Sequence, residues 1–196
     1  MEGNKGINSI NLIDLVKTFQ ERVNEHNIEK IMSMFTEDVT FESVGYSKVA
    51  GKQQVKIIFE NYSGKQQVKK HHEFQVSVNA NFKFLNCQSE GNTVHCQMLL
   101  RNDKLDAMGI GELKFSSCIF TFKDNLIQSS AAEPPPDFVE YDSKFSKKFI
   151  PWLTENYPDD YSRMFMPDGR FIFSLENGRD LVSLIRKWGE EQKADS

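Results

Sequence analysis

The sequence has little of what would place it quickly. It holds three cysteines, Cys87, Cys96 and Cys118, in 196 residues. The number is odd, no CxxC occurs, and no His–Cys cluster has zinc spacing. That pattern predicts free thiols, a reducing cytoplasmic setting and no metal. Positive charge is not in surplus: Lys plus Arg total 24 against 28 Asp plus Glu, a formal net charge of −4. A strongly basic nucleic-acid binder is thereby excluded, since phosphate neutralisation needs a positive surface. No apolar run approaches the ~20 residues that span a bilayer, so no membrane partner is expected. Met1 to Ser9 is polar and lacks the apolar stretch of a secretory signal. No glycine-rich phosphate loop, zinc-binding helix or nucleophile elbow is present, and no cofactor is expected.

Aromatic residues are plentiful. Sixteen Phe, five Tyr and two Trp make up 12 % of the chain, ample for one well-filled core. Ser9 is a candidate N-cap, behind which Leu12, Leu15, Val16, Phe19 and Val23 recur at helical spacing. A short second helix carries Ile28, Ile31, Met34 and Phe35. Thr36-Glu37-Asp38 breaks it, and Val39-Thr40-Phe41 reads as a short strand. A loop with Gly45 and Tyr46 follows. Gly51-Lys52 then opens a third expected helix striped by Val55, Ile58, Phe59 and Tyr62.

The period then changes. Phe74, Val76, Val78, Ala80, Phe82 and Phe84 occupy even positions with polar residues between, which predicts one long strand. Val94, Cys96, Met98 and Leu100 alternate in the next. Met108 to Phe122 reads as a third long strand whose phase slips, and a bulge near Gly111-Glu112 would reconcile it. Lys123-Asp124-Asn125 turns into a last short strand, Leu126 to Ser130. Pro134-Pro135-Pro136 marks a boundary, because prolines forbid helix interior and central strand alike. Beyond it Phe138 to Leu153 is partly helical, and Asn177 caps a helix bearing Leu181, Val182, Leu184, Ile185 and Trp188. The expected domains are 1–131, a boundary at 132–136, and an extension at 137–196 packed on the domain or on a partner.

This order resembles the nuclear transport factor 2-like superfamily, in particular its SnoaL-like branch. The resemblance rests on Phe19-Gln20-Glu21-Arg22-Val23-Asn24-Glu25-His26-Asn27 and on Ile31 to Glu42. It extends to Gly51-Lys52 and to the closing hairpin Ile119 to Ile127. It implies an α+β fold: a cone-shaped, curved antiparallel sheet with the N-terminal helices on its concave face, here with a C-terminal helical extension. It implies a pocket for small, often apolar organic molecules, and in many members a homodimer. Activities in the family include polyketide cyclisation, isomerisation, dehydration and epoxide hydrolysis, beside binding alone. Fold does not decide among them.

Ketosteroid isomerase chemistry requires a tyrosine, a carboxylate base and a second acid. The resemblance puts Phe19, Ser43 and Cys118 at those places. A phenyl ring donates no hydrogen bond and a lone serine is a poor base, so this chemistry is rejected. The expected ligand-binding residues are Phe19, Phe35, Phe41, Ser43, Phe59, Cys118 and Phe120, an aromatic lining suited to a greasy molecule. For cofactor-free proton transfer the candidate catalytic residues are His95, Tyr46 and Asp38. His95 lies on the face opposite Val94 and Cys96, and periodicity alone leaves open whether that face is concave. Cys118 reads as core filler, since a reactive thiolate needs a base or cation beside it. His26 reads as a capping or interface residue. Neighbours on a strand point apart, so at most one of His71 and His72 is expected to face a pocket. Both are read as solvated, together with Lys65, Lys69 and Lys70. A carrier or sensor without catalysis, and an interaction module built on the extension, are the rival functions.

Overall fold

The computed structural model describes residues 11–49 and 53–194, with side chains described throughout those ranges except at 44–62. The chain runs α1 (Leu12–Asn24), α2 (Ile28–Met32), β1 (Phe35–Val49), β2 (Gln53–Ser63), α3 (Lys65–Ser77), β3 (Asn81–Glu90), β4 (Thr93–Arg101), α4 (Asp103–Ala107), β5 (Glu112–Lys123), β6 (Leu126–Glu133), α5 (Pro136–Asn156), α6 (Pro158–Met164) and α7 (Leu175–Ala194). The six strands form one sheet in the order β2-β1-β6-β5-β4-β3. The pair β1·β6 is parallel and the rest antiparallel, so the sheet is mixed rather than purely antiparallel. Among the described residues, no helix is long and apolar enough to cross a membrane.

Helix α1 begins at Asn11, whose side chain accepts from Ile13 N, and buries Val16, Phe19 and Val23. The expected cap Ser9 lies outside the described residues. The polar side of the same helix satisfies the edge strand β3. Gln20 Oε1 accepts from Phe84 N at 2.6 Å, and Asn24 both accepts from Phe82 N and donates to Phe82 O. His26 Nε2 reaches Ala80 O at 2.9 Å. An edge strand otherwise presents unpaired amides to water or to other chains, so Gln20 and Asn24 both cover the sheet edge and fix α1 upon it, while His26, just past α1, holds the residue that precedes β3.

Two expected elements are replaced. Residues 53–63 form strand β2 paired with β1, not a helix opened at Gly51-Lys52; Gly51 and Lys52 lie outside the described residues. The expected long strand from Phe74 to Phe84 is instead the end of α3 and the start of β3. Val78 caps the helix and Asn79, at φ 51°, turns the chain between them. The phase slip of β5 is real but lies elsewhere. Its buried positions shift from Leu113 and Phe115 to Cys118, Phe120 and Phe122, where the register with β4 also shifts. Met108 caps α4 rather than starting the strand, and Gly109 and Gly111, both at positive φ, carry the chain into β5.

Cys87 and Cys96 form a disulfide, which corrects the reading of free thiols for this pair. The hairpin β3–β4 folds the two back on each other, with Cα atoms 4.2 Å apart, just below the separation usual for a bridge. Cys118 is free and buried.

Helix α5 begins at Pro136, at the end of the expected boundary, where a missing amide costs nothing. Ser174, not Asn177, caps α7: its Oγ accepts from Asn177 N. Asn177 is buried in the first turn, accepting from Arg163 and donating to Ile172 O. Helix α7 lies close on α3, for a methyl group added at Gly178 would overlap Ser77 Oγ.

Candidate functional site

Helices α1 and α3, the sheet's inner face, α4 and the first half of α5 enclose a cavity of about 600 Å³. Phe19 and Val23 come from α1, Phe35, Phe41 and Ser43 from β1, Phe82 and Phe84 from β3, and Cys118 and Phe120 from β5. The rings interlock: Phe19 meets Phe35 and Phe120 edge to face at 5.5 and 5.7 Å, and Phe84 meets Phe120 at 5.1 Å. Such contacts hold an aromatic wall in place without filling the space in front of it.

Six of the seven residues expected to bind a ligand therefore border this cavity: Phe19, Phe35, Phe41, Ser43, Cys118 and Phe120. The seventh, Phe59, has a side chain outside the described residues. So has Tyr46, which belongs to β1 rather than to a loop. The other two catalytic candidates are displaced from the cavity. His95 is exposed on the outer face of β4, because Val94, Cys96, Met98 and Leu100 take the inner one. Asp38 is exposed beside buried Val39.

Beside Ser43, Asn102 and Ser130, the polar groups inside come from α3. His71 and His72 are buried, at 5 % and 4 % exposure, and both line the cavity with Gln75. On a helix adjacent residues are about 100° apart, so both can border one space; the opposite-faces argument fails because this segment is not a strand. The His72 ring lies 5.4 Å from that of Phe35, 5.9 Å from Phe19 and 5.6 Å from His71. Neither of its ring nitrogens has a hydrogen-bond partner among the described residues. Burial pushes the protonation of His71 down to about 4 and that of His72 to about 3, the latter helped by His71. Both are neutral near pH 7. Val68, His71, His72 and Gln75 stand at i, i+3, i+4 and i+7 and so share one face of α3, but three polar residues at that spacing read in a sequence as a solvated face.

The remaining polar lining is quieter. Burial pushes the Cys118 thiol up to about 12, partly offset by the Ser130 hydroxyl, so it stays protonated and inert. Lys104 and Asp142, both part-exposed, face each other at 3.7 Å where the cavity meets solvent. Among the described residues no cluster of His, Cys, Asp and Glu could hold a metal ion.

No family model matches the chain, and no curated protein matches it in sequence. Solved structures do match it in shape. An NTF2-like protein of unknown function from Cytophaga hutchinsonii superposes with a TM-score of 0.50 at 14 % identity, over 68 % of this chain and 98 % of that one. The chain has the nuclear transport factor 2-like fold. The same fold relates it to SalBIII, an epoxide hydrolase/cyclase-like enzyme of pyran ring formation in salinomycin, with a TM-score of 0.50, 17 % identity and coverage of 64 % and 92 %. A Mycobacterium tuberculosis protein in complex with estradiol-17beta-hemisuccinate also scores 0.50, at 14 % identity and coverage of 64 % and 95 %. In this chain the fold's inner space is the aromatic cavity with His72 in its wall.

Proposed function

We propose that the protein is a SnoaL-like pocket protein that binds a small, largely apolar organic molecule. One observation carries the reading: a cavity of about 600 Å³ walled by phenylalanines, with an unpartnered, neutral His72 in its wall. A buried polar group without a hydrogen bond costs about 1–3 kcal/mol, which a ligand that pairs with it recovers. The size suits a molecule of a few fused or linked rings. One protein of this fold is known in complex with estradiol-17beta-hemisuccinate, a molecule of that kind.

Binding is favoured over proton transfer. A base that protonates only near 3 takes few protons at neutral pH. Cys118 is inert, and Phe19 and Ser43 supply neither acid nor base. The extension is better read as a wall of the cavity than as a free docking surface, since α5 contributes Phe138 and Val139 to the lining.

Titration with Nile red, an uncharged dye that brightens in apolar surroundings, tests the reading. The wild type should bind one dye per chain saturably. Ala132→Phe and Ser43→Phe each push a ring into the cavity and should weaken binding by about tenfold or more, with unchanged circular dichroism. Equal binding by folded variants and wild type would overturn the proposal, as would no binding at all.

A further inference from the structure

Gln75 and His72 stand three residues apart on α3 and so share one face of it. Both line the cavity. The Gln75 amide is held from one side: its Nε2 lies 3.3 Å from His71 Nε2 and, being only a donor, donates to it. That leaves Gln75 Oε1 directed away from His71. This oxygen is buried and has no hydrogen-bond partner among the described residues. The wall therefore holds an acceptor that needs a donor, beside a neutral imidazole that offers one N–H and one lone pair. Turning the amide over would leave a donor there instead, and a group able both to donate and to accept would still satisfy it.

Charge narrows the class further. Among the described residues that line the cavity, Lys104 is the only Lys or Arg and Asp142 the only carboxylate, and they pair with each other at the solvent end. A carboxylate or ammonium brought against His72 would meet no fixed opposite charge in a desolvated, phenylalanine-lined space. Burial keeps both imidazoles from supplying one at neutral pH.

We infer that the ligand is an uncharged, mostly apolar molecule with a hydroxyl group at its buried end, an alcohol or phenol held by Gln75 Oε1 and His72. This rests on the binding reading above. The hydroxyl donates to Gln75 Oε1 and accepts from the N–H of the neutral His72 ring. A ketone or ether leaves Gln75 Oε1 unpaired, and a hydrocarbon leaves both groups so.

Displacement of Nile red near neutral pH by para-phenylphenol, para-methoxybiphenyl, biphenyl and biphenyl-para-carboxylate tests the assignment. The phenol should bind about tenfold or more tighter than the ether and the carboxylate, the factor expected when a buried acceptor is left without its donor. In His72→Phe and in Gln75→Met that preference should shrink to about twofold while biphenyl still binds. An ether or carboxylate that binds the wild type as tightly as the phenol overturns the assignment, and this comparison needs no variant. If biphenyl binds without any preference for the phenol, this inference falls and the binding reading stands. If Nile red and all four compounds fail to bind, the binding reading falls and takes the inference with it.

Discussion

His72 is held neutral by its surroundings, and that has a consequence for the whole chain. Its folded protonation, about 3, and that of His71, about 4, lie below the unfolded value of 6.5. As pH falls below 6.5 the unfolded chain takes up protons that the folded chain refuses. The histidines' contribution to stability is thus complete above that value and is lost as pH falls toward their folded values. Each histidine should cost roughly 1 kcal/mol per pH unit through that window. Urea unfolding between about pH 7 and pH 5 should show a falling midpoint in the wild type and a shallower fall in His72→Phe. Identical slopes in the two proteins would show that His72 is solvated.

At the scale of elements, the fastening of α1 to β3 joins two walls of the cavity. Asn24 makes two hydrogen bonds with the backbone of Phe82, whose ring also lines the cavity. Asn24→Ala leaves both backbone groups to water at a sheet edge and should cost about 2 kcal/mol in chemical denaturation. A loss within error of zero would mean that the Asn24 bonds add nothing to the hold that Val16, Phe19, Val23 and Gln20 already have on the sheet. This joint was legible in the sequence only in part: the run from Phe19 to Asn27 pointed to the fold, but not to which backbone groups it would meet. Helix α1, strand β4 and the hairpin at Lys123-Asp124-Asn125 could be read because their apolar residues follow one period. Strand β2 could not, since Val55, Ile58, Phe59 and Tyr62 stand at helical spacing and only pairing with β1 decides for a strand. Helix α3 was hidden for the opposite reason. Its inward stripe is His71, His72 and Gln75, which hydropathy counts as surface, and even-numbered apolar residues run without a break across its end into β3. The aromatic wall was therefore legible, whereas the polar groups in it were not.

At the scale of the whole molecule, the C-terminal helix α5 forms part of the cavity wall. Helix α7 packs on the back of α3, the helix that carries the histidines, while α5 lines the cavity. Arg163 ties the corner together, donating to Asn177, Asp160 and Asp180. The histidines and the C-terminal helices therefore meet around one cavity, and its occupancy by the proposed ligand should be felt first at α3. The chain's four histidines make that observable: His71 and His72 border the cavity, whereas His95 is on the outer sheet face and His26 is tied to Ala80. The most direct measurement is imidazole nitrogen NMR of the protein near neutral pH with and without saturating Nile red. The resonances of His72, and of His71 beside it, should show neutral rings and move on binding, while those of His26 and His95 stay in place. Dye that saturates yet moves His95 or His26 and leaves His72 unmoved would contradict the claim that this cavity is the ligand site.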